Sequence, residues 1–216
     1  MLEYWIILYL FLARLFKIWS RTVQIHSIIH CVTAFVWTSW ILFVYLGAEI
    51  LNTNFTEILT NLNEEQKYMI TLSGAHSIGY FIADTIDILI DYNNIKRRIY
   101  ILHHLGAITG IITIYFGAYT SIYAIWCLEA GGIVHHLKHA SETQKFSTIP
   151  YYLAQTSYHV IYLSSRVLLT LNIINAFSFH TKLAFIDFLT LATSTILLIQ
   201  NYIWWFQNAK KSMGRS

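Results

Sequence analysis

The sequence predicts an all-α integral membrane protein, seven transmembrane helices bundled around a central cavity. Three observations predict it. Of the 216 residues, 56% are hydrophobic and 12% charged, with a mean hydropathy of +0.51; a soluble domain carries about a quarter of its residues as Asp, Glu, Lys and Arg. Seven apolar stretches come close to or exceed the roughly 20 residues that a helix needs to cross a bilayer. The basic residues, finally, fall in alternate connections between those stretches. This composition excludes a disordered chain, a disulfide scaffold and a nucleic-acid module. The two cysteines, Cys31 and Cys127, lie in apolar runs and imply no disulfide framework.

The expected spans are 4–19, 22–46, 68–90, 99–118, 120–137, 150–175 and 183–206, forming one domain over 1–216. The first is short and has no basic start. It carries Arg14 in place of a small-residue cleavage site, so it reads as a retained helix and not as a signal peptide. Pro150, the single proline, suits the start of the sixth span, because a first-turn residue has no intrahelical N–H bond to lose. Arg14, Lys17 and Arg21 follow span one, and Lys96, Arg97 and Arg98 follow span three. Lys138 and Lys145 follow span five, and Lys210, Lys211 and Arg215 close the chain. The intervening connections are acidic, with Glu49, Glu57, Glu64 and Glu65 against Lys67 and Lys182. An excess of Lys and Arg marks cytosolic loops. The N-terminus is therefore expected in the lumen and the C-terminus in the cytosol, in the endoplasmic reticulum membrane.

Ionisable side chains inside a bilayer are costly and face the bundle interior or a wet cavity. Span three carries His76, Tyr80, Asp84 and Asp87 on one stripe. Span five carries Glu129, Gly132 and His136, and span six His159, Tyr162 and Arg166, both spaced i, i+3, i+7. Span two carries His26 and His30, and span four the adjacent pair His103 and His104. Given the orientation, most of these imidazoles and carboxylates gather in a layer near the cytosolic face. His76 lies on the lumenal side and reads as a packing residue, and the His26/His30 spacing suits either a site or an ordinary helix face. Arg166 is expected to form a structural ion pair with Asp84, Asp87 or Glu129.

Two chemistries fit such a layer. A neutral imidazole can deprotonate an alcohol or amine, or take up an acyl group itself, and a neighbouring carboxylate orients the ring. His103 and His104 with Asp84 or Asp87 would then be the catalytic groups of a lipid acyltransferase. The basic rim of Lys96, Arg97 and Arg98 would attract acyl-CoA as a co-substrate. His136, His159 and Tyr80 are candidates for holding the lipid or acyl donor. In the second chemistry, the pair His26/His30, the pair His103/His104 and the group His135/His136/His139 are histidine boxes of a di-iron hydroxylase or desaturase. The expectation is nonetheless no metal and no permanently bound cofactor. A third reading is non-catalytic: the stripes hold the helices together in a lipid-binding regulator of membrane composition. The expected partners are membrane lipids and acyl-CoA, with no nucleic acid; a homodimer is compatible with the sequence.

Residues 91–105, D-Y-N-N-I-K-R-R-I-Y-I-L-H-H-L, carry a family resemblance. With Gly79-Tyr80-Phe81 followed by Asp84, Leu128-Glu129, Arg166 and residues 201–205, this stretch resembles the TLC domain of ceramide synthases and of TLC-domain-containing lipid-regulating proteins. The resemblance covers most of the chain. It implies a helix barrel that uses acyl-CoA, with the histidine pair carrying sphingoid N-acyl transfer in the synthases. The fifth span here reads Leu128-Glu129-Ala130-Gly131-Gly132-Ile133-Val134-His135 and lacks both aspartates of the synthase pattern. The chain is accordingly more similar to the lipid-regulating branch, and the resemblance implies Asp84 and Glu129 as the catalytic carboxylates in place of those aspartates, with His136 as an additional base.

Overall fold

The computed structural model describes residues 2–19, 25–47, 61–90, 98–144, 147–179 and 185–213. Within them the chain is helical and has no strand. Helix α1 is Leu2–Trp19, and α2 is Ile25–Ser39 prolonged by a π-helical turn, Trp40–Tyr45. Helix α3 is Glu64–Ile90, α4 is Arg98–Ile112 with a 3₁₀ turn Thr113–Phe116, and α5 is Ser121–Thr143. Helix α6 runs through Thr148–Ser157, a π-helical segment Tyr158–Tyr162 and Leu163–Phe179, and α7 is Phe185–Met213.

Local chemistry explains several boundaries. Asn63 and Gln66 cap the start of α3 reciprocally. The Gln66 N–H donates to Asn63 Oδ1 and the Asn63 N–H to Gln66 Oε1, both at 2.9 Å, which satisfies two amides that the first turn leaves without carbonyls. Gly47 (φ 64°) follows α2 and Gly117 (φ 95°) ends α4, left-handed conformations in which a Cβ would be strained. Pro150 sits in the first turn of α6, as expected.

Each expected span falls on one of these helices, but several helices run further, α3 back to Glu64 and α6 on to Phe179 among them. Helix α5 continues past residue 137 to Thr143, and α7 past 206 to Met213. Lys138, read from the sequence as a loop charge, is thus a helical and buried residue. Its ammonium donates to Glu142 (2.9 Å) and Asn208 (3.3 Å). Among the described residues one helix, Ile25–Tyr45, is by itself long and apolar enough to cross a membrane; Tyr100–Phe116 is apolar but shorter. Helix α3 has the length, 27 residues, and carries Glu64, Glu65, Lys67, Asp84 and Asp87 along it.

The helix contacts close a ring: α2 packs on α3, α3 on α4, α4 on α7, α7 on α6, α6 on α5, and α5 returns to α2. Helix α1 lies over the seam between α2 and α3 and packs mainly on α3. Glycines set the close approaches. A Cβ on Gly79 would collide with Trp5 of α1, and one on Gly132 would stand 2.8 Å from the Cys31 sulfur of α2. Small residues of this kind let helix backbones approach where packing holds them together.

Polarity is distributed inside out. The buried residues include His26, His30, His76, Asp84, Asp87, His104, Glu129, Arg166 and Asn201. Exposed on the outer faces are Tyr4, Ile7 and Phe11 of α1, Val36 and Val44 of α2, Leu102 of α4, and Phe185, Ile196 and Phe206 of α7.

Candidate functional site

Two histidine–carboxylate groups lie inside the ring. In the first, Asp84 of α3 stands between two imidazoles from different helices. Its Oδ1 is 3.1 Å from His26 Nε2 of α2, and its Oδ2 is 3.4 Å from His104 Nε2 of α4. His104 Nδ1 lies 3.0 Å from Thr85 Oγ1, which also donates to the Phe81 carbonyl at 2.7 Å. A hydroxyl has one proton and two lone pairs, so Thr85 either donates to Phe81 while accepting Nδ1–H of His104, or turns to donate to a bare Nδ1. With Asp84 accepting the Nε2–H of His104, Nδ1 is the lone-pair nitrogen and the basic atom of the group.

In the second group, His30 of α2 donates Nε2–H to Glu129 Oε1 of α5 at 3.1 Å, and the Cys31 thiol also lies on Glu129. The His30 ring is fully enclosed. It stacks on Tyr80 (centroids 3.8 Å, 8° between planes) and on His76 (5.1 Å, 26°). His76 Nε2 in turn meets the Tyr9 hydroxyl of α1 at 2.6 Å. Tyr9, Trp5 and Trp37 enclose His76 by edge contacts.

The sequence-based site residues meet different fates. His104 and Asp84 come together, whereas His103, one residue away, turns 100° around the helix. Its ring faces Trp204 (5.3 Å) and hydrogen-bonds to Gln200 of α7. Asp87 is buried on the α3 stripe. Tyr80 is a stacking partner of His30, and His136 is half-buried, within electrostatic reach of Asp84 and Glu129. Lys96 and Arg97 lie outside the described residues; Arg98 opens α4, and its side chain is outside them too.

Two expectations are corrected. His159 does not share a stripe with Tyr162 and Arg166. The π-helical segment takes one residue more per turn than an α-helix, which brings Tyr158 into phase with Tyr162 and leaves His159 half-buried beside Trp205. Arg166 is buried as expected, but no carboxylate among the described residues pairs with it. Its Nη1 donates to Cys127 O (2.8 Å) and Ser165 Oγ (3.3 Å), its Nη2 to Asn201 Oδ1 (3.0 Å), and the guanidinium lies over the Tyr162 ring at 4.3 Å. Gly131 makes this possible, because a Cβ there would stand 2.8 Å from both terminal nitrogens. A planar cation that saturates carbonyl acceptors and a ring face avoids the desolvation of a second charge.

Sequence reasoning held His26 and His30 open between a site and an ordinary helix face, read His76 as a packing residue, and did not see Tyr9, Cys31 or Thr85. The i, i+4 spacing of His26 and His30 was the available signal, and each finds its own carboxylate. Among the described residues no group of three or more His, Cys, Asp and Glu is arranged to hold a metal ion. His139, the third member of one expected box, is exposed. Comparison of the chain with family models, with curated proteins and with solved structures finds no match to any of them.

Proposed function

We propose that the chain is an integral membrane protein of lipid metabolism, of the TLC type, and that it moves a fatty acyl group from acyl-CoA to a lipid acceptor. The observation that carries this reading is Asp84, a buried carboxylate between two imidazoles inside a ring of helices with an apolar exterior. Exposed Ile, Leu, Phe and Val with buried Asp, Glu and His suit a molecule solvated by lipid. The seven helices then span the bilayer, with the N-terminus lumenal and the C-terminus cytosolic in the endoplasmic reticulum membrane, around a central cavity reached from the cytosolic side.

In this reading His104 is the general base. Asp84 holds its Nε2–H, leaving Nδ1 to take the proton of the acceptor hydroxyl or amine as that atom attacks the thioester carbon. The thiol of coenzyme A leaves with the proton. His26 steadies the other oxygen of Asp84, and Thr85 swings between His104 and the Phe81 carbonyl. His103 and His136 border the acyl donor, with Lys96, Arg97 and Arg98 at the cytosolic rim. Glu129 with His30 stiffens the wall.

Supplying purified protein in lipid vesicles with acyl-CoA and following acyl-lipid by mass spectrometry tests the reading. Product is expected from wild type and lost in His104→Ala. The second reading, a non-catalytic lipid-binding regulator, is favoured by the complete enclosure of His30 and His76, which suits side chains that only hold helices together. It takes over if wild type never turns over acyl-CoA and His103→Ala and His104→Ala leave the cellular lipid profile unchanged.

A further inference from the structure

The buried hydroxyls of this chain divide into two groups. Several turn back onto their own helix: Thr38 to Ala34 O (2.7 Å), Thr113 to Gly110 O (2.6 Å), Ser141 to Lys138 O (2.7 Å) and Ser165 to Tyr162 O (2.8 Å). That is the default for a hydroxyl in an apolar helix bundle. Ser73 and Ser77 of α3 depart from it. Both are fully buried, and neither Oγ has a hydrogen-bond partner. Nearby, Nδ1 of His30 and Nδ1 of His76, also on fully buried side chains, lack partners as well. Buried polar atoms are nearly always satisfied, so four such atoms on neighbouring turns of α2 and α3 call for a common partner. At 100° per residue Ser73, Ser77 and Tyr80 lie within about 60° of arc on α3, and Tyr80 and His76 both stack on His30.

The donors and acceptors here are complementary. Among the described residues the Tyr9 O–H meets no acceptor other than His76 Nε2; with the phenol as donor there, the ring proton of neutral His76 sits on Nδ1, a donor. His30 gives Nε2–H to Glu129, so its Nδ1 is a bare acceptor. A donor nitrogen and an acceptor nitrogen thus belong to two rings whose centroids are 5.1 Å apart. Water both accepts and donates, and a buried water typically makes about three hydrogen bonds.

We propose that the seam between α2 and α3 is a water-binding site, in which water bridges His76 Nδ1, His30 Nδ1 and the Ser73 and Ser77 hydroxyls. Hydrogen bonds then run in one direction, from Tyr9 through His76, water and His30 to Glu129, and tie α1, α2, α3 and α5 together. The site fixes both histidine tautomers and keeps Glu129 a pure acceptor. It rests on this geometry and not on acyl transfer.

Radiolytic hydroxyl-radical footprinting of the full chain in lipid nanodiscs, read by mass spectrometry, tests the site, because radicals formed from bound water mark the side chains beside it. Cys31, on Glu129, and Tyr80, stacked on His30, are the reporters, and Cys127, also buried, is the internal control. Cys31 and Tyr80 should be oxidised several-fold faster than Cys127, and Ser77→Val, which replaces the hydroxyl with methyl groups, should bring Cys31 down toward the Cys127 rate. Equal rates for Cys31, Tyr80 and Cys127 in wild type overturn the proposal, and so does an unchanged Cys31 rate in a folded Ser77→Val. Should that variant not fold, the wild-type ratio still decides. No acyl-CoA enters the experiment, so its outcome is separable from that of the acyltransferase test.

Discussion

The Asp84 and Glu129 groups use the same side-chain chemistry and differ in how much freedom it retains. Asp84 is shared by His26 and His104, and the basic nitrogen of His104 has a hydroxyl, Thr85, that can turn to another acceptor. Glu129 holds His30, whose ring is clamped between Tyr80 and His76 and wholly enclosed. A base must exchange its partner during a reaction, and a clamp must not. The difference teaches that two buried histidine–carboxylate pairs of the same chemistry can be told apart by their neighbours: a half-buried hydroxyl leaves the His104 group free to exchange partners, and stacked rings deny that to His30.

The comparison can be broken most decisively at His104. His104→Ala should lower acyl-lipid formation by ~10²–10⁴-fold, the usual worth of a general base, with helicity and membrane insertion unchanged. Product formation and circular dichroism on the same preparation check this; retained activity would end the distinction between the two groups. His30→Ala should act the other way. It strands a buried Glu129 and removes a stacked ring, so unfolding stability should fall by ~3–5 kcal/mol, while the molecules that remain folded keep transferring acyl groups. A thermal melt in detergent, paired with activity per folded molecule, separates these effects. Gly132→Ala sharpens the contrast at smaller scale: its Cβ would press on the Cys31 sulfur and should cost about 1–3 kcal/mol by overpacking. The reference for no effect is Glu64→Gln. It removes the exposed Lys67–Glu64 pair (2.7 Å), whose hydrogen bond holds the Lys67 ammonium above the usual lysine range. The stability that this raised value contributes is present below the ordinary lysine value and is lost as pH rises through the raised one. Solvent screening makes the shift in melting temperature too small to resolve at neutral pH.

The placement of the helices was legible because length and apolarity accumulate over many residues. The stripes on α3 and α5 were legible too, since α-helical phase carries straight through them and Asp84 and Glu129 both face inward. Phase failed on α6, where a π-helical segment exchanges Tyr158 for His159. His103 and His104 could not be told apart, because an adjacent pair gives no phase of its own and only the positions of α3 and α7 choose between them. Arg166 was legible as a buried cation but not in its partners, because backbone carbonyls have no sequence signature. Tyr9 was invisible: in a run of aromatic and aliphatic residues one tyrosine looks like an interfacial anchor, and nothing local says that its hydroxyl meets a histidine 67 positions later.

The closure of the ring through α2 and α5 has a consequence for how the molecule is made. Tyr9 finds His76, and His26 finds Asp84, as soon as α3 emerges, so α1, α2 and α3 complete their mutual polar contacts early in synthesis. His30 must wait for Glu129, 99 residues further along the chain. Until α5 arrives, His30 lacks its carboxylate. The His30–Glu129 contact is therefore the polar link that the first three helices cannot make among themselves, and it ties the later half of the chain to the earlier one.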